Sequence, residues 1–274
     1  MLEKEKKMMT ETVSSKTIEV AGGKLAYEVK GEGPAVLCLP SLGDTRREYE
    51  FFVPALVEAG YRVISADLRG MGASEGRFKS FTIADLCNDI TAILDAENVS
   101  EVILVACSVS GASAGLYAAD HPERVKGLIM FNPIMHTGNL LVAYLMVGLL
   151  KVPGLGKQIW LSYFKKLYPS RPVEADYMAQ LKEFVGKPGA MKSIAGMCLA
   201  RRIDHDIERI KVPALIYFGS KDPDFKDAQA EASIVQQKMP SARLKVLEGL
   251  GHYPHREQPQ AVLPEVLGWL ADPT

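Results

Sequence analysis

The sequence contains little that points to a membrane or to a nucleic acid. Its most apolar run, Leu140–Leu150, is shorter than the roughly 20 residues that a bilayer-spanning helix needs. A formal net charge of −1 gives no electrostatic reason to bind nucleic acid or an anionic lipid surface. We therefore expect neither a transmembrane segment nor a nucleic-acid partner.

Cysteine is also scarce. None of the 4 cysteines forms a CxxC pair or shows the spacing of metal ligands. Most of them lie within apolar runs, which is typical of buried free thiols, and we expect a cytoplasmic protein. Residues 1–15 carry charges but no apolar segment of the kind found in a secretory signal. We interpret them as a flexible tail.

Short β-branched runs alternate with longer helical patterns along most of the chain. "TIEV" and "LAYEV" predict an antiparallel pair joined by "AGGK". Further strands are predicted at "AVLCL", "YRVISAD", "EVILVAC", "VKGLIMF", "ALIYFG" and "RLKVLEG". Helical patterns follow near 48–59, 83–96, 109–119 and 227–238, and at the C-terminus. The order predicts an α/β fold with a mostly parallel eight-stranded sheet between helices.

The alternation is interrupted over residues 135–202. This segment has no convincing strand pattern and carries breakers at Pro153, Pro172 and Pro188. We predict a helical cap here, inserted into a core formed by 16–134 and 203–274. The cap is rich in Leu, Met, Val, Ile and aromatic residues. An apolar underside would favour a substrate with an apolar acyl or aromatic group, although such residues also serve to pack a cap onto a core.

A cluster of serines follows the predicted strand "EVILVAC". In open α/β sheets, sites lie beyond the carboxyl ends of the strands. The pattern small-x-Ser-x-small, typical of a nucleophile on a sharp strand-to-helix turn, fits both Ser108 and Ser110. The apolar strand ends at Cys107, and Gly111 would then fall in the first helical turn, which favours Ser108. Ser110 remains the alternative, and both serines are also ordinary turn residues.

A serine nucleophile needs a base, and the base needs an orienting carboxylate. Asp222 and Asp224 follow the strand "ALIYFG", while His252 and His255 follow the last strand. The flexible "GLG" turn before His252 can aim that side chain over the sheet. We interpret His255 as structural and Asp224 as a turn or helix-capping residue, so Asp222 and His252 are favoured. No partner argument assigns a role to the remaining histidines, which are His121, His136 and His205.

Several short motifs occur together and in order along the chain. They are "LPSLGD", "RVISADLRGMGAS", "VACSVSG", "AADHPERVKGLIMFNP", "GSKDPDF" and "GHYPHREQP". In these motifs the sequence resembles the α/β-hydrolase superfamily, specifically its small capped esterase and epoxide-hydrolase-like branch. The resemblance implies a catalytic triad of Ser108, Asp222 and His252. An epoxide hydrolase or dehalogenase of this superfamily would carry Asp in place of Ser108.

The same resemblance implies an oxyanion hole formed by two backbone N–H groups, those of Leu42 and Val109. The usual His-Gly of the loop is replaced here by Pro40 and Ser41. Proline has no N–H, and a Cβ at Ser41 restricts the backbone. We expect one of two outcomes. Either the Ser41 hydroxyl faces the site and contacts substrate, or the loop bends so that Leu42 no longer donates.

The resulting hypothesis is a serine hydrolase that cleaves a carboxylic ester of a small, largely apolar substrate. The reaction would pass through an acyl-enzyme on Ser108 and would need no cofactor or metal. The same triad also supports C–C bond hydrolysis or perhydrolase chemistry. A different class is a receptor-like or carrier-like protein with low turnover, and a third is a structural or interaction protein.

Overall fold

The computed structural model describes residues 14–200 and 202–272. One sheet organises them, and its nine strands in the described ranges are β1 (Ser14–Val20), β2 (Gly23–Lys30), β3 (Ala35–Leu39), β4 (Arg62–Ala66), β5 (Glu75–Gly76), β6 (Val102–Cys107), β7 (Val125–Phe131), β8 (Ala214–Gly219) and β9 (Arg243–Leu247).

The strands lie in the order β1-β2-β4-β3-β6-β7-β8-β9, with β5 paired to β2. Along this order the strands β4, β3, β6, β7, β8 and β9 pair in parallel. Strand β2 pairs antiparallel with β1, β4 and β5. The mostly parallel α/β sheet is confirmed, but the predicted number of eight strands is wrong. The ninth strand is β5, which has 2 residues, too few to show a periodic pattern.

The N-terminal boundary also differs from the prediction. Ser14 and Ser15 were expected in the tail, but they pair with Val29 and Glu28 as the first residues of β1. Strand β2 is long enough to pair with β1 back to Ser14, which precedes the "TIEV" pattern. The rest of the predicted tail, residues 1–13, lies outside the described residues.

The helices occupy the segments between strands and the C-terminus. They are α1 (Phe52–Glu58), α2 (Ile83–Ala96), α3 (Val109–Asp120), α4 (Leu140–Leu150), α5 (Leu155–Lys166), α6 (Ala175–Gly186), α7 (Ala190–Cys198), α8 (Ala228–Lys238), α9 (Pro254–Glu257) and α10 (Pro259–Ala271), with 3₁₀ turns at Arg46–Tyr49 and Ile207–Arg209. The helix predicted over 48–59 is therefore divided. Pro54 explains the break, because an α-helix continuing through it would bring its ring against the carbonyl of Glu50.

Apolar side chains pack on both faces of the sheet. Alternate residues of one strand enter different clusters, as Leu104 and Val105 of β6 show. Ile90 of α2 packs in the first cluster, and Trp269 of α10 packs in the second. Burying each such side chain stabilises the fold by about 1.5–3 kcal/mol. This two-sided core holds the carboxyl ends of β6, β7 and β8 side by side.

Four helices, α4 to α7, occupy the stretch in which the sequence predicts an insertion. Arg256 joins this stretch to the sheet-bearing part of the chain. Its guanidinium donates to Glu50 Oε1 at 2.5 Å and to Glu174 Oε2 at 3.0 Å, and it lies 3.8 Å from the centre of the Tyr177 ring. The Arg256 residue is only 1% exposed. A buried, doubly paired guanidinium of this kind fixes α6 against the first 3₁₀ turn.

Helix α4 is apolar over its whole length and exposes several large side chains, including Leu141, Tyr144 and Leu145. Within residues 14–200 and 202–272, no helix reaches the length and hydropathy that crossing a bilayer requires.

Candidate active site

Ser108 occupies the turn between β6 and α3. Its backbone has φ 58° and ψ −124°, a region that residues with a Cβ rarely enter. The turn is held by the Ser108 N–H, which donates to Phe131 O at 3.0 Å, and by Ile134 N–H, which donates to Ser108 O at 3.1 Å. A Cβ on Gly111 would lie 2.5 Å from the Pro133 Cβ, so the close packing of α3 requires glycine there. The strained turn presents Ser108 at the wall of a cavity.

Ser110, the alternative nucleophile, has a different environment. Its side chain is fully buried, and its hydroxyl donates to Pro40 O at 2.5 Å. Ser113 is also buried and donates to the Ser110 carbonyl at 2.9 Å. Of these three serines, only Ser108 lines the cavity in the described part of the chain. Ser110 instead links helix α3 to the loop after β3.

The loops after β8 and β9 bring an acid and a base together. His252 Nδ1 lies 2.6 Å from Asp222 Oδ2, and both side chains are essentially excluded from solvent. Burial alone lowers the pKa of His252. The Asp222 carboxylate outweighs burial, with help from Asp224, and raises that pKa to about 9. The imidazole is therefore held as a strong base whose Nδ1–H donates to Asp222.

Asp224 does not have the capping role that the sequence suggested. The N-cap of α8 is Asp227, whose side chain accepts from Ala230 N at 3.0 Å. Asp224 lines the cavity instead, with its Oδ2 3.5 Å from His252 Nδ1 and its carboxylate accepting from the Tyr163 hydroxyl. Burial raises the pKa of Asp224, and the neighbouring His252 opposes that rise. The cavity thus holds a second carboxylate close to the base.

Asn132, which the sequence analysis did not single out, positions the base. It follows β7 with φ 43°, a conformation that asparagine tolerates better than most residues. Its side-chain NH₂ donates to Gly251 O and His252 O, both at 3.0 Å, and its Oδ1 accepts from Gly219 N at 2.8 Å. One amide thereby joins the ends of β7 and β8 to the histidine loop. The sequence signal for this residue was an asparagine followed by proline, directly after the predicted strand "VKGLIMF".

A second set of contacts holds the same loop from the other side. Glu257 accepts from Gly251 N at 2.7 Å and from the Ser170 hydroxyl at 2.5 Å. His252 N–H donates to Leu167 O at 2.9 Å. The histidine loop is therefore fixed both to α9 and to the segment that follows α5.

The loop after β3 leaves the predicted oxyanion donors available. Asp44 N–H donates to Ser41 O at 3.3 Å, closing a turn in which Gly43 has φ +73°. The Leu42 N–H lies inside this turn. The N–H groups of Leu42 and Val109 donate to no group within residues 14–200 and 202–272, and both residues line the cavity. The Pro40-Ser41 replacement is thus compatible with two unpaired donors.

The Ser41 side chain is not directed at the cavity. It is 1% exposed, its hydroxyl lies 2.5 Å from the Tyr253 hydroxyl, and it is absent from the cavity lining among the described residues. The expected substrate contact of Ser41 is therefore not found. The physical reason is that Tyr253, the neighbour of His252, supplies a buried hydrogen-bond partner that the sequence pattern of this loop does not reveal.

Glu48 is a further residue that the sequence analysis missed. Its Oε2 accepts the Ser41 N–H at 2.7 Å, and its Oε1 lies 3.1 Å from His255 Nε2. Complete burial raises the pKa of Glu48 to about 7, although the Ser41 N–H bond opposes this. Burial also holds the pKa of His255 well below its usual range, so the ring stays neutral. His255 thus holds the Glu48 carboxylate in place, and Glu48 in turn holds the loop that carries Leu42 through the Ser41 N–H.

We expect Glu48→Ala to lower kcat about 10- to 100-fold with a smaller change in KM, because the loss of one oxyanion donor costs at least that much. The substitution leaves the buried Ser41 N–H without an acceptor and frees the adjacent Leu42 N–H to move. Glu48→Gln keeps an acceptor oxygen and should restore most of kcat. Steady-state kinetics and thermal unfolding of both variants test this. Equal losses in the two variants would contradict a role through the Ser41 hydrogen bond.

The cavity that these groups share has a volume of about 410 Å³. Ser108, His252, Leu42 and Val109 line it, together with apolar side chains of α4 and α5. Among the described residues, the Ser108 hydroxyl makes no hydrogen bond, and Ser108 and His252 are related by lining the same cavity. Hydrogen bonds between nucleophile and base commonly tighten only when substrate binds. A second cavity, of about 450 Å³ beside Arg46 and Asp67, is lined by none of the three residues of the predicted triad.

Within the part of the chain that the structure describes, two clusters of side chains have donor atoms close enough to share a metal ion. They are Asp222, Asp224 and His252, and Glu48, Cys107 and His255, each with donor atoms within 4.8 Å of one another. In both clusters the imidazole is already hydrogen-bonded to a carboxylate. Hydrogen bonding therefore accounts for the closeness of each imidazole to one carboxylate.

Comparison with known proteins agrees with the architecture. Residues 34–160 match the family model described as the alpha/beta hydrolase fold. A relative from Variovorax paradoxus (strain S110), named "Putative carbamate hydrolase RutD", is 38% identical over 111 residues, which are 39% of this chain and 42% of that protein. The match thus spans less than half the length of that relative.

Two solved structures share the fold. A bromoperoxidase from Bacillus anthracis superimposes with a TM-score of 0.84 at 18% identity, covering 94% of this chain and 100% of that one. The esterase EaEST from Exiguobacterium antarcticum gives a TM-score of 0.82 at 20% identity, with the same two coverages. The fold is therefore that of the α/β-hydrolases. The match to the family model and the likeness of the two solved structures agree with the resemblance that the sequence motifs carry.

Proposed function

We propose that this protein is a serine hydrolase that cleaves a carboxylic ester through an acyl-enzyme on Ser108. One observation carries the proposal. Ser108, on a strained turn, lines the same cavity as His252, whose Nδ1 lies 2.6 Å from the buried Asp222 carboxylate. A hydroxyl is a weak nucleophile by itself, and an imidazole oriented by a carboxylate is the base that activates it.

The reaction begins when His252 Nε2 takes the Ser108 hydroxyl proton and the Ser108 Oγ attacks the ester carbonyl carbon. The N–H groups of Leu42 and Val109 donate to the oxyanion that forms on the carbonyl oxygen. The imidazolium then gives its proton to the departing alcohol oxygen, and the acyl group remains on Ser108. A water molecule, deprotonated by His252, attacks the acyl-enzyme, and the acid leaves with restoration of the serine hydroxyl.

The helices over the cavity support a small, largely apolar substrate. In this proposal α4 to α7 act as a cap, and the cavity includes Leu140, Val142, Met146 and Trp160 from α4 and α5. These side chains provide a water-poor surface for an acyl or aromatic group. The names of the similar proteins, which include a carbamate hydrolase and an esterase, also support hydrolysis at an acyl carbon.

Covalent labelling tests the proposal. The purified protein is treated with a fluorophosphonate, and the modified peptide is identified by mass spectrometry. Hydrolysis of 4-nitrophenyl acetate, butyrate and octanoate is measured in parallel. We expect a single adduct on Ser108 and turnover that is blocked in proportion to labelling. An adduct on Ser110, or no adduct, would contradict the proposal, and labelling without turnover would indicate a binding protein that retains the site.

A further inference from the structure

The cavity contains a cationic side chain that the proposed acyl transfer does not use. Arg202 and Ala200 line both the active-site cavity and a depression on the outer surface, so Arg202 stands at the partition between the two. The residue is half-buried. Its Nη1 donates to Ala200 O at 2.7 Å and to Met197 O at 3.4 Å, at the C-terminal end of α7.

The rest of the guanidinium has no hydrogen-bond partner in the part of the chain that the structure describes. Within residues 14–200 and 202–272, neither Nε nor Nη2 of Arg202 makes a hydrogen bond, and no carboxylate oxygen lies within 4.0 Å of the group. The nearby cavity carboxylate, Asp224, is engaged by Tyr163 and His252. A cation without a paired carboxylate is costly in a partly desolvated wall. The free Nε–H and Nη2–H groups of Arg202 lie in one plane and match the two oxygens of a planar anion.

His136 provides an independent second donor. The residue lines the cavity, its Nδ1 lies 2.7 Å from Glu231 Oε1, and its buried Nε2 has no hydrogen-bond partner among the described residues. Because the Glu231 carboxylate lies at Nδ1, Nε2 is the ring nitrogen that is left for a ligand. A buried polar atom without a partner calls for an explanation, and for a residue that lines the cavity a bound ligand supplies one.

Hydrogen bonds hold the two chain segments that carry these residues next to each other. Arg202 N–H donates to the Thr137 hydroxyl at 3.0 Å, and Ile203 N–H donates to Met135 O at 3.0 Å. Asp204 then accepts from Thr137 N at 2.9 Å. The two ends of the predicted cap are thus joined here, with His136 at one end and Arg202 at the other.

We propose that Arg202 and His136 bind a carboxylate on the substrate, so that the natural ester carries an anionic end beyond an apolar middle. The inference deepens the proposed hydrolysis and rests on it for the reaction. A monoanion fits better than a dianionic phosphate, because Asp224 already places a negative charge in the cavity. The apolar walls contact the chain between the carboxylate and the ester.

Matched pairs of esters test the proposal. One member of each pair carries a terminal carboxylate, as in mono(4-nitrophenyl) glutarate and adipate, and the other ends in a methyl group at the same chain length. A second series places the carboxylate on the alcohol side, as in 4-acetoxybutyrate against butyl acetate. We expect wild type to favour the charged member of at least one series in kcat/KM by about 10- to 100-fold, the range of a charge-assisted hydrogen-bonded pair.

The variant Arg202→Met should lose this ratio. The matched control is Arg209→Met, which removes the same charge from an exposed guanidinium paired with Asp120 and Asp206 outside the cavity. The control should keep the ratio, which excludes a general effect of net charge. A ratio near one in wild type for both series, or a ratio that survives Arg202→Met, would overturn the proposal.

Binding of unreactive analogues separates this inference from the proposed reaction. The monoanilide of glutaric acid, which retains one carboxylate, is compared with valeranilide, which ends in a methyl group at the same chain length, by calorimetry on wild type and Arg202→Met. Preferential binding of the acid that depends on Arg202 supports the carboxylate site even if no ester is hydrolysed. Hydrolysis of neutral esters without such a preference would support the proposed function and contradict the carboxylate site.

Discussion

Replacing Ser108 by alanine is expected to reduce kcat on the order of 10⁴- to 10⁶-fold and to abolish fluorophosphonate labelling. The variant removes the only atom that forms the acyl bond in the proposed reaction. What activity remains would come from substrate binding and from the N–H groups of Leu42 and Val109. The measurement is steady-state kinetics on the best 4-nitrophenyl ester, with labelling read by intact-protein mass spectrometry.

The stability of Ser108→Ala separates this effect from unfolding. The Ser108 hydroxyl makes no hydrogen bond with the described residues, so its removal should change the free energy of unfolding by no more than about 0.5 kcal/mol. Ser110→Ala is the matched control. It loses the buried bond to Pro40 O and should cost about 1 kcal/mol of stability, yet it should still label. Full labelling of Ser108→Ala would show that another group is the nucleophile.

The second large effect is expected for Asp222→Asn, with a loss in kcat on the order of 10³- to 10⁴-fold. Asparagine cannot accept the Nδ1–H of His252 as a carboxylate does, and it does not stabilise the imidazolium that forms during acyl transfer. Burial lowers the pKa of His252 in the wild type, while Asp222 raises it to about 9. Removing the charge of Asp222 should therefore lower the pKa of His252.

The direction of the pH dependence follows from the proton that His252 accepts. Only the neutral imidazole takes the Ser108 proton, so kcat/KM of the wild type should rise as pH increases toward about 9. In Asp222→Asn the residual activity should reach its plateau at a lower pH. A pH profile of kcat/KM for both proteins checks this. An acid limb at the same pH in both would show that Asp222 does not control the base.

Asp224 provides a control for the same measurement. Its Oδ2 is 3.5 Å from His252 Nδ1, against 2.6 Å for Asp222. We expect Asp224→Asn alone to shift the acid limb less than Asp222→Asn. In the double variant, the activity left in Asp222→Asn should fall further, because Asp224 is the remaining carboxylate beside the ring. A larger loss in Asp224→Asn than in Asp222→Asn would reverse the assignment of the orienting acid.

The periodic strands and helices were accessible from the sequence because their patterns are local. "EVILVAC" reads as a buried strand since every residue of it is apolar or small, apart from its first. The position of Ser108 directly after it, and of Asp222 and His252 after two later strands, follows from the same reading. The two-residue strand β5 and the break before α1 were missed, because neither leaves a periodic signal over several residues.

By itself the sequence determined the α/β class, the order of the strands along the chain, and a short set of serine, acid and histidine candidates at strand ends. Tertiary structure alone decided what surrounds them. It set Asp224 beside His252 rather than at a helix cap, turned Ser41 toward Tyr253, and brought Glu48, Asn132 and Arg202 to the site. These contacts join side chains that are mostly far apart in the chain. Local propensity and periodicity act over a few residues, so only the packing of the sheet and its helices establishes such contacts.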